Sequence, residues 1–331
     1  MKAAIYTSYG LPADVVRIAD VEKPVPNDDE VLIKVHAASV NPLDWRFMKG
    51  DPVLFRIFIG LRKPRRGRPG VDVAGEVEAV GKNVTQFKPG DPVFGSSRGA
   101  FAEYVCTVAS KVAMKPDNVT FEQAASVNVA GLTALQGLRD QGKVQPGSKV
   151  LINGAAGGVG TFAVQIAKTF GAHVTGVCST RNVDMVRSIG ADEAIDYTQN
   201  NFTKTNQHYD FIFDCVGNHS VSECRRVLTQ NGRYVGIGAP HDASLLALLI
   251  PMIKEVVLSA FRSQKVVMFI AKASQEDLIL LGQLIATGKL KPVIDKIYDF
   301  NEAADAVQHV EQGHARGKVI IDVSSVRSAS R

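Results

Sequence analysis

The densest chemistry in this sequence of 331 residues lies between Leu151 and Gly160, LINGAAGGVG. Gly154, Gly157 and Gly160 recur at every third position, after an apolar run that reads as a strand and before one that reads as a helix. Glycine permits a tight turn with positive φ. It also lets backbone N–H groups approach a diphosphate resting on the N-terminus of the following helix. The first spacing departs from Gly-x-Gly-x-x-Gly, yet the strand–turn–helix context points to dinucleotide binding. A merely structural glycine turn is the alternative.

The next strand selects among dinucleotides. An acid about 20 residues further on would take a ribose 2′-hydroxyl. Here the strand ends Val177-Cys178-Ser179-Thr180-Arg181, with no acid. The Ser179 hydroxyl and the Arg181 guanidinium can both donate to a 2′-phosphate, so NADP(H) is the expected cofactor. In the alternative reading Ser179 caps the next helix and Arg181 is solvated; both readings can hold at once.

These groups need elements to hold them, and the length suggests about two domains. With 45% hydrophobic and 21% charged residues the chain is ordinary globular material, which excludes extended disorder and a collagen repeat. The first ~115 residues read as short strands between turns, among them Ala3–Tyr6, Val31–Ala37, Val71–Val80 and Ala102–Val108, a mainly antiparallel or barrel-like unit. Phe121 to Gly142 reads as one long helix. Strands and helices then alternate: Lys149–Asn153, Gly158–Phe170, His173–Cys178, Arg181–Ile189, Tyr209–Cys215, Ser220–Leu228 and Gly232–Gly238. That alternation predicts a doubly wound parallel sheet with ligand at the carboxyl ends of its strands. After Gln275 the first pattern resumes, with helices over Leu278–Ala286 and Glu302–Glu311 and strands over Val293–Tyr298 and Lys318–Val323. The expected division is therefore 1–120 with 275–331 around an inserted 121–274. The tail Ser324–Arg331 is expected to fray.

The net charge of +5 is one local feature. Arg62, Lys63, Arg65, Arg66 and Arg68 lie together, and without them 33 basic residues face 33 acidic ones. A nucleic-acid partner is therefore not expected. Three readings of this loop compete: a solvated loop, steering of anionic NADPH, and contact with anionic lipid as a peripheral membrane attachment. The four cysteines form no C-x-x-C pair, and the N-terminus carries no signal-peptide pattern, so a soluble cytoplasmic protein is expected. The apolar run Leu245–Ile253 is too short for a bilayer, which needs about 20 residues. It is expected to pack a homodimer interface or roof a hydrophobic pocket, with a core helix as the alternative.

Several segments carry a family likeness in order: Asn41–Asp44 (NPLD), Pro69–Val77 (PGVDVAGEV), Gly90–Gly95 (GDPVFG), Ala130–Ala134 (AGLTA), Gly154–Gly160, Gly190–Tyr197 (GADEAIDY) and Ala315–Lys318 (ARGK). Over nearly its whole length the chain resembles the medium-chain dehydrogenase/reductase superfamily, in its zinc-less quinone oxidoreductase (zeta-crystallin-like) branch. The stretch Asn41–Trp45 looks closest to the subgroup with the chloroplast-envelope quinone oxidoreductase homologues. The resemblance implies an α/β architecture: a GroES-like β-rich barrel domain, the catalytic one, with an inserted doubly wound Rossmann domain.

It also implies roles. Gly157, Gly158 and Val159 would meet the pyrophosphate, and Ser179, Arg181 and Tyr197 would surround the 2′-phosphate. Val216 and Gly238 would line the cofactor cleft, and Asn41 and Thr133 would face the nicotinamide end. Phe269 and Ile270 would shape the pocket, and Arg316, Gly317 and Lys318 would close the site. For Tyr197 the alternative is a surface strand residue, and for Phe269 plain core packing.

The zinc enzymes of the superfamily carry Cys where this chain has Asn41 and His where it has Val71. Neither replacement ligates zinc, so no metal site is expected. Without a Lewis acid, small lipophilic electrophiles already activated for hydride, such as quinones and α,β-unsaturated carbonyls, are favoured as substrates. Some relatives carry Tyr at Arg46. Arg46 and Asn41 are the candidate catalytic donors to a developing oxygen charge, with a solvent-facing Arg46 as the alternative. Two other functions stay open, a non-catalytic NADPH-binding protein and a carbonyl or alcohol dehydrogenase.

Overall fold

A computed structural model of the chain describes residues 1–51, 53, 56–65, 67–238, 257 and 263–326. Arg66, the Leu245–Ile253 run and the last five residues lie outside them. Two compact units are present: Met1–Leu132 with Ala273–Gly288 and Ile294–Arg331, and Thr133–Lys272 with Lys289–Val293. Residues 121–132, expected with the inserted part, pack with the first unit.

The strands in chain order are β1 (Lys2–Ile5), β2 (Arg17–Asp20), β3 (Glu30–Val40), β4 (Asp72–Val80), β5 (Pro92–Ser96), β6 (Tyr104–Val108), β7 (Val112–Met114), β8 (Lys149–Asn153), β9 (His173–Cys178), β10 (Glu193–Asp196), β11 (Tyr209–Asp214), β12 (Leu228–Gly236), β13 (Lys265–Met268), β14 (Ile294–Asp299) and β15 (Lys318–Asp322). The helices used below are α1 (Pro42–Lys49), α2 (Arg56–Ile59), α3 (Phe121–Ala125), α4 (Asn128–Gln136), α5 (Gly158–Thr169) and α6 (Gln275–Ala286).

In the first unit β14-β15-β3-β4-β5-β7 form one sheet, with β6 pairing β3 off that path. Only β14 and β15 run parallel; the remaining pairs are antiparallel. Val31, Ile33, Val73 and Phe101 fill its core together with Trp45 and Met48 from α1. Pro42 sits at the first position of α1, where its missing N–H costs nothing, and Gly50 ends the helix with φ +59°.

In the second unit the sheet order is β10-β9-β8-β11-β12-β13, with every pair parallel. Counted from β8 this is 3-2-1-4-5-6, the dinucleotide-binding order, whose strand order reverses beside β8. Leu151, Val177, Phe202, Ile212 and Tyr234 form its core.

The helix expected over Phe121–Gly142 is broken. α3 ends at Ala125, α4 begins at Asn128, and Gly137–Gly142 continues as π-helical turns. The break has a physical cause. The Asp72 carboxylate accepts the Asn128 side chain at 2.9 Å and the Val129 N–H at 3.0 Å, so it sits as an anion at the start of α4. At the other end a Cβ on Gly137 would lie 2.7 Å from the Phe213 ring, and one on Gly142 2.9 Å from the Phe211 ring. The loosened turn therefore fits against β11 only without side chains. Strands β10 and β13, four residues each, were not anticipated.

Candidate active site

In the second unit the carboxyl ends of the parallel strands bring the predicted cofactor residues to one edge. Gly154 follows β8 with φ +84°, and a Cβ on Gly160 would lie 2.0 Å from the Gly154 carbonyl oxygen. Gly157 is the N-cap of α5, and a Cβ there would touch nothing closer than 3.4 Å. The turn therefore requires glycine at Gly154 and Gly160 and leaves open space above Gly157. The first N–H groups of α5, on Gly158 and Val159, have no carbonyl four residues back within the helix. This cradle fits a diphosphate.

A buried carboxylate fixes the floor of that edge. Asp214, at the end of β11, accepts from Asn153 Nδ2 at 2.9 Å, Val216 N at 3.0 Å, Gly217 N at 2.8 Å and the Tyr234 hydroxyl at 2.8 Å. Asn153 in turn donates to Asn218 Oδ1 at 2.8 Å. Burial first, and then the Asp214 charge, push the Tyr234 hydroxyl far above its ordinary range, so it stays protonated. Val216 is thereby held beside Gly154, whose Cβ would meet it at 2.7 Å, and a Cβ on Gly238 would lie 2.3 Å from the Cys215 carbonyl carbon. Asp214, Asn153 and Tyr234 escaped the sequence reading, because single polar residues at strand ends give no periodic signal.

Ser179, Arg181 and Tyr197 lie at the ends of β9 and β10, where Asp196 pairs with Cys178 and the Tyr197 N–H reaches the Cys178 carbonyl. Arg181 and Tyr197 are exposed, and Ser179 Oγ accepts from Asn182 Nδ2 at 3.1 Å. The absence of an acid after β9 is only part of the picture, because β10 ends in Asp196. That carboxylate accepts from Thr180 Oγ1 at 2.6 Å and from Thr198 N and Oγ1 at 2.9 and 2.8 Å. The Thr180 hydrogen bond leads in holding it below the ordinary carboxylate range. Thr133 is half-buried on α4. Phe269 packs toward Gly137, whose Cβ would lie 3.3 Å from its ring, and Ile270 is 92% exposed. Phe269 is half-buried, and Ile270 stands on the surface.

The first unit holds a separate buried polar cluster centred on Asp72. Its Oδ2 accepts from Ser39 Oγ at 2.6 Å, Asn41 Nδ2 at 2.9 Å and Lys318 Nζ at 3.2 Å, and its Oδ1 takes the two donors at the start of α4. Lys318 Nζ also donates to Asn41 Oδ1 at 2.7 Å and Val40 O at 3.3 Å. The ammonium and the carboxylate fix which end of the Asn41 amide is oxygen. The second Asn41 hydrogen goes to the Ser39 carbonyl at 3.4 Å. As these side chains stand, each Asn41 amide hydrogen and each Lys318 ammonium hydrogen has an acceptor within the cluster. Among the described residues the buried Asn128 Oδ1 has no hydrogen-bond partner.

Beneath the cluster Asp44 accepts the Asn41 N–H at 2.8 Å and the Gly70 N–H at 2.9 Å. Burial outweighs these bonds and raises its carboxyl to about 6. Arg46 is buried, with its guanidinium carbon 4.5 Å from the Trp45 ring centroid, so it does not point into solvent. Arg316 is exposed, and Gly317, with φ +91°, turns the chain into β15 and buries Lys318. Among the described residues no group of three or more His, Cys, Asp or Glu side chains could hold a metal ion.

Comparison with known proteins places this arrangement. Residues 27–117 match the alcohol dehydrogenase GroES-like domain family, and residues 189–321 match the zinc-binding dehydrogenase family. The chloroplast envelope quinone oxidoreductase homolog of Arabidopsis thaliana is 34% identical over 97% of this chain and 98% of its own. The chain belongs to the medium-chain dehydrogenase/reductase superfamily, in its zinc-less quinone oxidoreductase branch. The NADPH-dependent alkenal/one oxidoreductase of A. thaliana is 33% identical over 97% of this chain and 79% of its own. The quinone oxidoreductase structure from Coxiella burnetii superposes with a TM-score of 0.85 at 31% identity, covering 98% of this chain and 99% of that one. The GroES-like domain and the Rossmann-type parallel sheet of this superfamily are thus both present. Among the described residues no helix is long and apolar enough to cross a membrane.

Proposed function

We propose that the chain is an NADPH-dependent oxidoreductase that reduces quinones or α,β-unsaturated carbonyls without zinc. The observation that carries the reading is the glycine cradle at α5 beside an edge presenting Ser179, Arg181 and Tyr197. Relatives named as quinone and alkenal/one oxidoreductases supply the acceptor class. NADPH, when bound, supplies a hydride. The unit formed by 133–272 and 289–293 holds the cofactor in this reading. Gly158 and Val159 donate to the diphosphate and Gly157, whose N–H is held by the Gly154 carbonyl at 3.0 Å, leaves room for it; Ser179 and Arg181 donate to the 2′-phosphate, and the Asp214 cluster keeps Val216 and Gly154 in register.

In the first unit Asn41 and Lys318 act as positioning residues, locked by Asp72. Arg46 is the candidate donor to a developing oxygen charge, and placement together with fixed dipoles lowers the barrier. The assembly proposed is a homodimer: among the described residues β13 is paired on one side only, and Met268 at its end and Ile270 beyond it are exposed. Four free cysteines fit a reducing cytoplasm.

The test is NADPH oxidation with a panel of quinones, 2-alkenals and saturated aldehydes, with and without a chelator. Turnover of the first two classes that survives chelation is the expected result. Turnover confined to saturated aldehydes would move the protein to the alcohol dehydrogenases. Cofactor binding with no turnover at all would make it a binding protein.

A further inference from the structure

The described residues between 50 and 68 present two surface properties together. Val53, Ile57 and Leu61, spaced four residues apart, are 69%, 52% and 68% exposed. Immediately after them Arg62, Lys63, Arg65 and Arg68 are exposed, and no ion pair is found for any of the four among the described residues. Between Gly50 and Arg68 the only acid is Asp51. Lys63, Arg65 and Arg68, with Ile5, Tyr6 and Thr7, border an open groove of about 450 Å³.

The segment is anchored to the first unit at several points. Arg56 donates to the Lys49 and Gly50 carbonyls at the end of α1 and lies over the Tyr9 ring at 4.4 Å. The Tyr9 hydroxyl donates to the Gly60 carbonyl, and the Tyr6 N–H to the Gly67 carbonyl at 2.8 Å. The fold therefore displays these aliphatic and cationic side chains on a fastened surface.

We propose that this segment docks the protein on an anionic lipid surface, with Val53, Ile57 and Leu61 entering the interface and Arg62, Lys63, Arg65 and Arg68 meeting lipid phosphates. Three exposed aliphatic side chains grouped within nine residues and followed directly by a basic run form a mixed apolar and cationic surface, which a solvated loop does not require. Steering of an anionic cofactor needs the charge alone and gives those side chains no role. A lipid interface uses both, since aliphatic groups enter the boundary while basic groups meet anionic headgroups.

Co-sedimentation with vesicles of phosphatidylcholine alone and of phosphatidylcholine with phosphatidylglycerol tests the proposal on the full chain. Expected is pelleting with the anionic vesicles only, released by salt. The variant carrying Arg62→Gln, Lys63→Gln, Arg65→Gln and Arg68→Gln should lose partitioning by at least about 100-fold. The variant with Ile57→Ser and Leu61→Ser should stay folded, as both positions are exposed, and should lose roughly 10- to 100-fold while remaining salt-sensitive. Equal pelleting with neutral vesicles, or unchanged pelleting of the charge variant, overturns the proposal. So does a charge variant that slows NADPH association in stopped flow while the parent protein binds no vesicle, which would assign the loop to steering. The readout is independent of turnover, so its failure and that of the proposed reductase activity are separable.

Discussion

Asp196 and Arg181 stand with opposite charge at the same strand edge, and cofactor preference rests on their balance. Asp196 is engaged by Thr180 and Thr198, which hold its two oxygens without removing the charge. A charge-assisted hydrogen bond contributes roughly 1.5–3 kcal/mol, so Arg181→Ala should weaken NADPH by about 10- to 100-fold and scarcely affect NADH. Asp196→Asn should shift the preference further toward NADPH. Fluorescence titration with both nucleotides measures both effects, and equal affinities in the unaltered protein would sink the assignment. Ser179 and Arg181 were legible in the sequence because they follow a strand at a fixed distance from the glycine turn. Asp196 was hidden because its influence depends on β10 lying beside β9, which a four-residue strand does not announce.

The elements of the first unit meet at Asp72, which joins β3, β4, α4 and β15 through five hydrogen bonds. Removing one member of a buried ion pair strands the other, at a cost of about 3–5 kcal/mol. Asp72→Asn and Lys318→Met should each destabilise the protein by that order, and the double variant by clearly less than their sum. Urea unfolding of the four proteins completes the cycle; strict additivity would show that the pair is not coupled. Asp44, at the start of α1, gives a pH signature. Its carboxyl ionises near its ordinary 3.8 in the unfolded chain and at about 6 in the fold. Between those values the fold keeps a proton that the unfolded chain has lost. Raising the pH through that window therefore removes stability, about 3 kcal/mol in all, and above it the contribution is constant. The stability gap between the parent and Asp44→Asn should narrow by that amount from about pH 4 to pH 6.5; a gap independent of pH would refute it. The parallel strands β8 and β9 were read to the residue because apolar runs between glycine turns are strong signals. The break between α3 and α4 was not, because its cause, Asp72, lies on a strand far away in sequence.

At the scale of the whole molecule the sequence revealed a β-rich unit interrupted by a doubly wound one, since the change from period-two strands to alternating strands and helices spans most of the chain. The segments that close the first unit are its last ones. Strand β15 lies between β14 and β3, and it brings Lys318 to Asn41 and Asp72. On the ribosome, β3 emerges early and waits for a partner made near the end, a delay of roughly 15–55 s at ordinary translation rates. The second unit, complete once residue 293 has been made, needs no such wait. The nascent chain therefore carries a finished nucleotide-binding unit behind an N-terminal segment whose buried carboxylate still lacks its cation. Arrested chains ending before Gly317 should leave the N-terminal part open to protease while the middle resists. Vectorial synthesis thus makes the N-terminal segment, though translated first, the last to become native and the stretch on which co-translational chaperones have most to do.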